Sequence, residues 1–356
     1  MTIAERRLQN QRITSPGFRR PADVVSWFGA MQAQEYEPAK WAIGLRLAND
    51  VADGDIHRAC DAGRILRTHV MRPTWHFVTP SDIRWLLELT APRVHRILSY
   101  YNRALELDAR TLTRGTAVIE RALGEDGHLT RAELAERLQR AGLPMTGNRL
   151  ARVVMHAELE GVICSGRRRE RHFTYALLAE RAPKAPRLSR DEALATLARR
   201  FFNSHGPATI RDFVWWSGLT TADTKRAIDM IRPRREEIDG LTYWTIGQPP
   251  RGATRDHRVH LLPIYDEYLV AYRDRKAVPH GPSTIGSSSS GSVTFQHALV
   301  IAGQVAGTWR ITRSTNAVGI QAVPLRPLKP AERSALVAAA RRYEQFLKLP
   351  VQCSIR

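Results

Sequence analysis

The sequence predicts an α+β fold in which three tandem winged-helix (helix-turn-helix) motifs are followed by a C-terminal β-rich, barrel-like domain with a terminal helix. Two observations lead to this prediction. Two stretches of the chain repeat the order helix, helix, helix, hairpin, and after residue 255 short strand patterns replace the helical ones. A length of 356 residues is enough for two to four modules. The predicted modules are 1–105, 106–183, 184–254 and 255–356.

The two clear copies of the repeat lie in the middle of the chain. Suitable N-cap residues precede their helices: Thr130 and Thr146 in one copy, Ser189 and Thr209 in the other. The predicted helices and strands of these copies are 113–125, 131–140, 146–159, 162–164 and 173–177, then 191–203, a helix after Thr209, 222–231 and 241–246. Three helices with a terminal hairpin are typical of a winged helix.

The N-terminal module is a looser third copy of the same plan. It has predicted helices at 21–31 and 55–62, and a wing formed by 65–70 and 74–78. The Ala/Pro-rich stretch 181–187 is a predicted linker between the other copies. The alternative for the whole region is an unrelated helical bundle decorated with hairpins.

The last hundred residues predict a small barrel or sandwich. Its strands are expected at 259–262, 292–295, 298–301, 308–312 and 318–323. A Gly/Ser-rich stretch, 281–292, is expected to form a mobile loop, and 331–347 to close the chain as a helix.

Charge is the most informative feature of the composition. The chain has 54 Lys+Arg and 35 Asp+Glu, for a formal net charge of +19. Such an excess favours a polyanionic partner, with nucleic acid first and a membrane surface second, although a merely basic soluble protein is the alternative. No apolar run approaches the roughly 18 residues that span a membrane, and the N-terminus lacks the apolar core of a signal peptide. We therefore expect no membrane association and a cytoplasmic, nucleoid-associated protein.

Several kinds of chemistry are disfavoured by what the sequence lacks. Cys60, Cys164 and Cys353 are far apart and have no histidine at ligand spacing, so neither a structural zinc site nor a disulfide framework is expected. There is no phosphate-binding loop and no dinucleotide-binding glycine motif. We expect no metal and no organic cofactor.

The arginines cluster where winged helices contact DNA. One group lies at the predicted tip of the second wing and another at the start of the third, and Arg149 lies on a predicted recognition helix. Cations at such tips can reach phosphates or the minor groove, while the alternative is a solvated hairpin tip. The candidate DNA contacts at these places are Arg149, Arg167, Arg168, Arg169, Arg171, Arg234 and Arg235.

A pair of amides forms the second candidate constellation. Gln32 and Gln34 follow the first amphipathic helix. On a helix, side chains two residues apart point in different directions, so the two amides converge only if the chain is already extended there. The alternative is that they are surface polar residues at a helix end.

The sequence resembles the AlkZ-like family of winged-helix DNA glycosylases. The matching motifs span nearly the whole chain in one order. They are Met-Gln-Ala-Gln at 31–34, Arg-Pro-Thr-Trp-His at 72–76, His-Gly-Pro-Ala-Thr-Ile-Arg-Asp-Phe-Val-Trp-Trp-Ser-Gly-Leu at 205–219, Leu-Pro-Ile-Tyr-Asp-Glu-Tyr-Leu-Val-Ala-Tyr-Arg-Asp-Arg at 262–275 and Val-Ala-Gly-Thr-Trp-Arg at 305–310.

The resemblance implies an enzyme that hydrolyses the N-glycosidic bond of bulky N7-alkylated purines in double-stranded DNA. It implies catalytic roles for Gln32 and Gln34, because the family's signature is Gln-x-Gln in one branch and Gln-x-Asp in the branch that acts on crosslinks. A covalent lyase step needs an amine, and only Lys40 is near in sequence, so we expect a monofunctional enzyme. It is expected to act as a monomer, since three DNA-binding units in one chain leave less need for a dimer.

Other residues near these motifs have two interpretations each. Glu35 and His76 are possible lining residues of the site, with His76 more often a core residue. Arg67 and Arg72 are candidate phosphate contacts, and Arg72 can equally pair with a buried carboxylate. Asp266 is expected in a C-terminal ion-pair set with Arg273 and Arg275. The alternative function is a non-catalytic winged-helix DNA-binding protein, either a transcriptional regulator or a damage-recognition paralogue.

Overall fold

The computed structural model describes residues 1–48, 50–182, 187–247, 258–273, 275–278, 285–287 and 293–356, with the backbone alone at 285–287 and 293–295. Its helices are α1 Ile3–Asn10, α2 Pro21–Phe28, α3 Tyr36–Gly44, α4 Asp53–Asp61, α5 Ile83–Ala104, α6 Ala109–Asp126, α7 Arg131–Arg140, α8 Gly147–Leu159, α9 Leu178–Arg181, α10 Arg190–Ser204, α11 Ile210–Ser217, α12 Thr221–Ile231, α13 Glu267–Val270 and α14 Pro330–Leu347.

The strands are short and are spread over the whole chain. They are β1 Met31–Gln32, β2 Leu66–Val70, β3 Arg72–Val78, β4 Leu129–Thr130, β5 Ile163–Ser165, β6 Thr174–Leu177, β7 Arg234–Ile238, β8 Leu241–Thr245, β9 Val259–Leu262, β10 Ile285–Ser287, β11 Val293–Phe295, β12 Ala298–Ile301, β13 Gln304–Arg313, β14 Val318–Pro324 and β15 Val351–Ile355. Helices and strands alternate in groups, as expected for an α+β fold.

The predicted capping residues begin their helices as the sequence indicates. The side chains of Thr130, Ser189 and Thr209 each accept a hydrogen bond from the backbone N–H three residues on. The acidic side chain of that later residue accepts a hydrogen bond from the backbone N–H of the capping residue. These reciprocal capping boxes satisfy amide groups that a helix start leaves unpaired. Thr146 precedes α8 as predicted but makes no side-chain cap.

The first helix of the N-terminal module is shorter than predicted. It ends at Phe28 because Gly29 adopts a positive φ of 84°, and the chain then runs as β1. The apolar spacing that predicted a helix up to Met31 continues into this strand. β1 and β2 flank β3 in one three-stranded antiparallel sheet, which includes the predicted wing.

The middle of the chain has the predicted succession of elements. Helices α6, α7 and α8 precede the β5–β6 hairpin, with β4 added beside β6, and α10, α11 and α12 precede the β7–β8 hairpin. Of the predicted linker, Arg181 belongs to α9, and 183–186 lie outside the described residues.

Among its described residues, the C-terminal part has a curled five-stranded sheet and the separate β10–β11 pair. The strand order is β15-β14-β13-β12-β9, so β15 and β9 are its edges, and α14 contacts both of them. The expectation that the helix closes the chain is wrong, because β15 follows it and pairs in parallel with β14. Within the predicted Gly/Ser loop, Ile285–Ser287 is instead a strand paired with β11, and the rest of that loop lies outside the described residues.

Buried contacts join the N-terminal module to the C-terminal sheet. Their apolar residues form one cluster, and inside it Arg46 makes a two-pronged ion pair with Asp266 at 2.8 and 2.9 Å. Asp266 is therefore not paired with Arg273 and Arg275 as predicted: the backbone of Arg273 donates to Asp212 instead. Among the described residues, no helix is both long and apolar enough to cross a membrane.

Candidate active site

An open cleft lies between β1, β3 and α5 of the N-terminal module on one side and α11, Tyr265 and Val270 on the other. Its volume is about 570 Å³. The lining residues are Gln32, Gln34, Arg72, Pro73, Thr74, Arg93, Ile97, Val214, Trp215, Gly218, Leu219, Tyr265 and Val270. Both glutamines and Arg72 therefore face one cavity that is open to solvent.

The extended backbone explains why the two glutamines meet. Gln32 pairs with His76 across β1 and β3, and the amide of Ala33 donates to the carbonyl of Trp75 at 2.7 Å. Successive side chains of an extended chain point to opposite sides, so residues two apart share a side. Ala33 is accordingly buried while Gln32 and Gln34 border the cleft.

Each amide oxygen is held by a donor from β3. The Arg72 guanidinium donates to Gln32 Oε1 at 3.2 Å, and the Trp75 backbone N–H donates to Gln34 Oε1 at 3.3 Å. A carbonyl oxygen has two acceptor sites, so each amide oxygen keeps one for a further donor. The pair is thus arranged to accept hydrogen bonds from a molecule in the cleft.

A buried carboxylate that sequence reasoning missed fixes the backbone of this segment. Glu267 is 1% exposed, and its Oε1 accepts from the Gln32 N–H at 2.6 Å. Its Oε2 accepts from Trp216 Nε1 at 2.9 Å and lies 3.2 Å from His205 Nε2. The motif that covers 262–275 contains Glu267, but a pattern of residue types does not show that this side chain points inwards.

Glu267 is ionised at neutral pH. Burial raises the pKa of its carboxyl, but the His205 hydrogen bond, the Gln32 amide and the positive charge of Arg72 together lower that pKa below its usual value. His205 is fully buried, and burial lowers the pKa of its imidazole. A negative charge is therefore maintained directly behind Gln32.

Arg67 binds the backbone of the glutamine segment, residues Gln32–Gln34. Its Nε donates to the carbonyl of Ala33 at 2.9 Å and its Nη2 to the carbonyl of Gln34 at 3.2 Å. The guanidinium also lies 4.4 Å from the ring centre of Trp75 and 4.9 Å from that of Phe173. Burial lowers its pKa. These contacts occupy the side chain that was predicted to bind DNA.

Arg72 lies in the cleft wall and contacts a catalytic candidate. Burial lowers the pKa of its guanidinium, and the charge of Glu267 acts in the opposite direction. The guanidinium of Arg72 makes its hydrogen bond with Gln32. The buried carboxylate that acts on it electrostatically is that of Glu267.

Glu35 and His76, which the sequence suggests as possible lining residues of the site, do not line the cleft. His76 is fully buried, with Nδ1 2.9 Å from the carbonyl oxygen of Thr74, and burial beside Arg72 lowers its pKa to about 3. It is a core histidine, the interpretation that the sequence favoured. Glu35 is exposed at the start of α3, and its charge contributes to a raised pKa of Tyr265, which is raised chiefly by burial.

The predicted arginines of the second wing fall into two groups. Arg168 packs 4.9 Å from the ring centre of Phe173 and lies 3.6 Å from Glu37, and Arg169 pairs with Glu133 at 2.6 Å. Arg167 and Arg171 have exposed side chains at the hairpin.

The remaining candidate DNA contacts also lie away from the lining of the cleft. Arg234 and Arg235 are exposed on β7 and interact with Glu236 and Glu237 of the same strand. Arg149 donates to the carbonyl of Leu105 at the end of α5, and its role as a DNA contact stays a prediction.

The cleft has walls that sequence reasoning did not identify. Arg93 and Ile97 lie one turn apart on α5, and Ile97 is 41% exposed. Trp215 also lines the cleft and donates its indole N–H to the carbonyl of Val270 at 2.8 Å. An apolar side chain and an indole beside the amides suit contact with a nucleobase.

Comparison with known proteins agrees with these features. The family model "DNA glycosylase AlkZ-like" matches residues 25–346. A protein of Streptomyces sahachiroi, described as an interstrand DNA cross-link repair glycosylase, is 24% identical over 97% of this chain and 96% of its own length. The solved structure of the Streptomyces sahachiroi DNA glycosylase AlkZ has the same mixed α+β fold, with a TM-score of 0.78 and 23% identity over 99% of this chain and 98% of that one. The chain belongs to the AlkZ-like family of DNA glycosylases.

Proposed function

We propose that this chain hydrolyses the N-glycosidic bond of N7-alkylated purines in duplex DNA, with the attacking water held between Gln32 and Gln34. The observation that carries the proposal is the convergence of two anchored amide oxygens on one open cleft. The enzyme is monofunctional in this proposal, because Lys40 is 3% exposed and its amine pairs with Asp53 and Glu37.

Uncharged amides suffice for this chemistry. An N7-alkylated guanine already carries a positive charge, so it leaves without a strong general acid. The remaining task is to place a water molecule on the face of the sugar where positive charge develops. A water that donates both hydrogens to the two amide oxygens directs its own lone pair outward, which is the orientation that attack requires.

Glu267 makes the cleft compatible with positive charge. Arg72 alone would disfavour a cationic base and an oxocarbenium-like transition state beside it. The ionised Glu267 carboxylate lies behind the same segment and offsets that charge at short range. We therefore assign Glu267 a positioning and electrostatic role through Gln32.

DNA recognition is proposed to use three winged-helix units, in modules 1–105, 106–183 and 184–254, with the C-terminal module completing the cleft. The exposed wing arginines supply phosphate contacts, and the chain acts as a monomer. Because the cleft is open, lesion choice depends on groove shape and on contacts such as Trp215 rather than on an enclosing pocket.

The test is release of the damaged base. The wild-type chain is incubated with duplexes that contain N7-methylguanine or a bulkier N7 adduct, and abasic sites are measured. A Gln32→Ala/Gln34→Ala variant is expected to lose at least about 100-fold in rate. Gln139→Ala, at an exposed position on α7, is the matched control.

Two outcomes would contradict the proposal. No abasic product from the wild type on either lesion would exclude this substrate class, and an undiminished rate in the double variant would place the chemistry elsewhere. A crosslinked duplex forms a third arm, since the Streptomyces sahachiroi relative is described as a cross-link repair glycosylase.

A further inference from the structure

Two histidines and a glutamate meet at the junction of α5 and α8. His95 lies on α5, His156 lies near the end of α8, and Glu160 is the residue that caps α8. One ligand atom from each lies within 4.8 Å of the other two. Glu160 Oε1 is 2.9 Å from His95 Nε2 and 3.8 Å from His156 Nε2. We propose that these three side chains form a zinc-binding site that ties α5 to α8.

The donor set is one that zinc prefers. Two imidazole nitrogens and one carboxylate provide three ligands of a tetrahedral site and leave the fourth position for water. His156 and Glu160 are four residues apart on one helix, a spacing that places both side chains on the same face. His95 approaches from the other helix, so the ion is contacted from two sides.

The histidines are held in a form that suits a metal. Thr116 Oγ1 lies 3.1 Å from His156 Nδ1, which orients the ring and leaves Nε2 directed at Glu160. Burial lowers the pKa of His156. His95 Nε2 is shielded from solvent and makes no well-aligned hydrogen bond, although Glu160 Oε1 lies at 2.9 Å.

The site can be reached from solvent. A cavity of about 530 Å³ borders it and is lined by His95 and Glu160 together with Pro92, Leu159 and other residues. Glu160 is about half exposed, with 48% of its side chain accessible. Exchange of the ion and of a bound water molecule therefore needs no opening of the core.

A metal here would brace one wall of the DNA-facing cleft. Arg93 and Ile97 line that cleft from α5, and His95 lies between them in sequence, so it projects from the opposite face of the helix. Pro92 lies inside α5 and provides no N–H for the helical hydrogen bond at this point. Zinc binding would hold the helix against α8 immediately after this weak point. The binding itself does not depend on the proposed function.

The experiment measures zinc binding to the full chain after treatment with chelator. Calorimetric titration with Zn²⁺ is expected to show one site per chain, and Co²⁺ is expected to give the visible absorption of a tetrahedral site. His95→Ala and Glu160→Gln should each weaken binding by more than about tenfold, and Thr116→Val by about tenfold. Zinc should raise the melting temperature of the wild type but not that of His95→Ala.

Matched controls separate this site from incidental binding. His57 and Asp61 also lie four residues apart on one helix, 3.4 Å apart, so His57→Ala should leave zinc binding unchanged. Cys353→Ser removes an exposed thiol that could bind zinc incidentally, and it should also leave zinc binding unchanged. Equal melting temperatures of all variants in chelator show that the fold is intact. Absence of binding, or equal affinity in wild type and the His95→Ala/Glu160→Gln variant, would overturn the proposal and leave only a direct contact between His95 and Glu160.

Discussion

The backbone N–H of Gln32 donates to the buried carboxylate of Glu267 at 2.6 Å. This bond links the backbone of the segment Gln32–Gln34 to the C-terminal part of the chain. The same carboxylate accepts from Trp216, so three parts of the chain meet at one side chain. We therefore expect the activity to depend on Glu267, a residue that does not line the cleft.

Glu267→Gln is expected to lower the single-turnover rate of base release by about 100-fold, because the negative charge that offsets Arg72 is lost. It should also lower the free energy of unfolding by about 1–3 kcal/mol, since an amide cannot satisfy all the donors that meet there. Urea unfolding and single-turnover kinetics measure the two effects. Glu332→Gln, at a surface ion pair with Arg326, is the control, and an unchanged rate in Glu267→Gln would contradict the electrostatic role.

Arg67→Lys is expected to lower the rate while leaving DNA affinity unchanged. A lysine cannot bond the carbonyls of Ala33 and Gln34 together as the guanidinium does, so the glutamines lose their alignment. The dissociation constant for undamaged duplex and its salt dependence should match those of the wild type. A parallel loss of affinity and rate would instead indicate that Arg67 contacts phosphate.

Arg171→Ala is expected to weaken DNA binding while leaving the rate of base release unchanged. The side chain is exposed on the second hairpin, and loss of one phosphate contact should weaken binding to all duplexes alike. The slope of log affinity against log salt should fall by about 1. Arg326→Ala, at a surface ion pair of the C-terminal part, is the control that should leave the slope unchanged.

Gly218→Ala is expected to damage both stability and activity. Gly218 has a φ of +72°, and a Cβ there would lie 2.5 Å from the carbonyl oxygen of Met71, next to Arg72. Destabilisation of at least about 1 kcal/mol is expected, measured by urea unfolding. Gly240→Ala is the matched control, because Gly240 has the same φ and no atom outside its immediate chain neighbours within 4 Å of the place a Cβ would occupy. Equal effects of the two changes would show that only the backbone conformation matters.

Burial of His76 is expected to lower the free energy of unfolding as the pH falls. The folded-state pKa of about 3 lies below the usual 6.5, so between these values the unfolded chain binds a proton that the folded chain does not. Stability is therefore complete above pH 6.5 and falls as the pH drops toward 3. Between pH 7 and 5 the loss is about 2 kcal/mol. His76→Gln should reduce this loss in urea unfolding at the two pH values, and an identical loss would assign it to other groups.

The sequence predicted most elements that are marked by local chemistry. Thr130, Ser189 and Thr209 begin helices because capping depends on residues three apart, which a sequence displays directly. β1 was hidden because Met31 continues the apolar spacing of α2, and its pairing with β3 is a contact between distant residues. β15 was missed although Val351, Cys353 and Ile355 alternate with polar residues, because the strand is short and mostly exposed and its pairing with β14 is a contact between residues distant in sequence.

The candidate site was predictable only in part, because contacts between residues distant in sequence leave no local pattern. The two glutamines are neighbours in sequence and belong to a recognisable motif, so they could be singled out. Glu267 and Arg67 act through contacts with backbone groups of the glutamine segment, and no residue pattern records such contacts. The cluster of His95, His156 and Glu160 joins two helices, so ligand spacing along the chain does not reveal it.

The bond between Gln32 and Glu267 spans 235 residues, which has a consequence for synthesis on the ribosome. At a translation rate of about 5–20 residues per second, the glutamine segment waits on the order of ten seconds or more before its carboxylate partner is made. Asp266, the ion-pair partner of Arg46, is likewise synthesised 220 residues after it. The helices of the nascent N-terminal half can therefore form early, but the backbone of Gln32 gains its carboxylate partner only after Glu267 emerges.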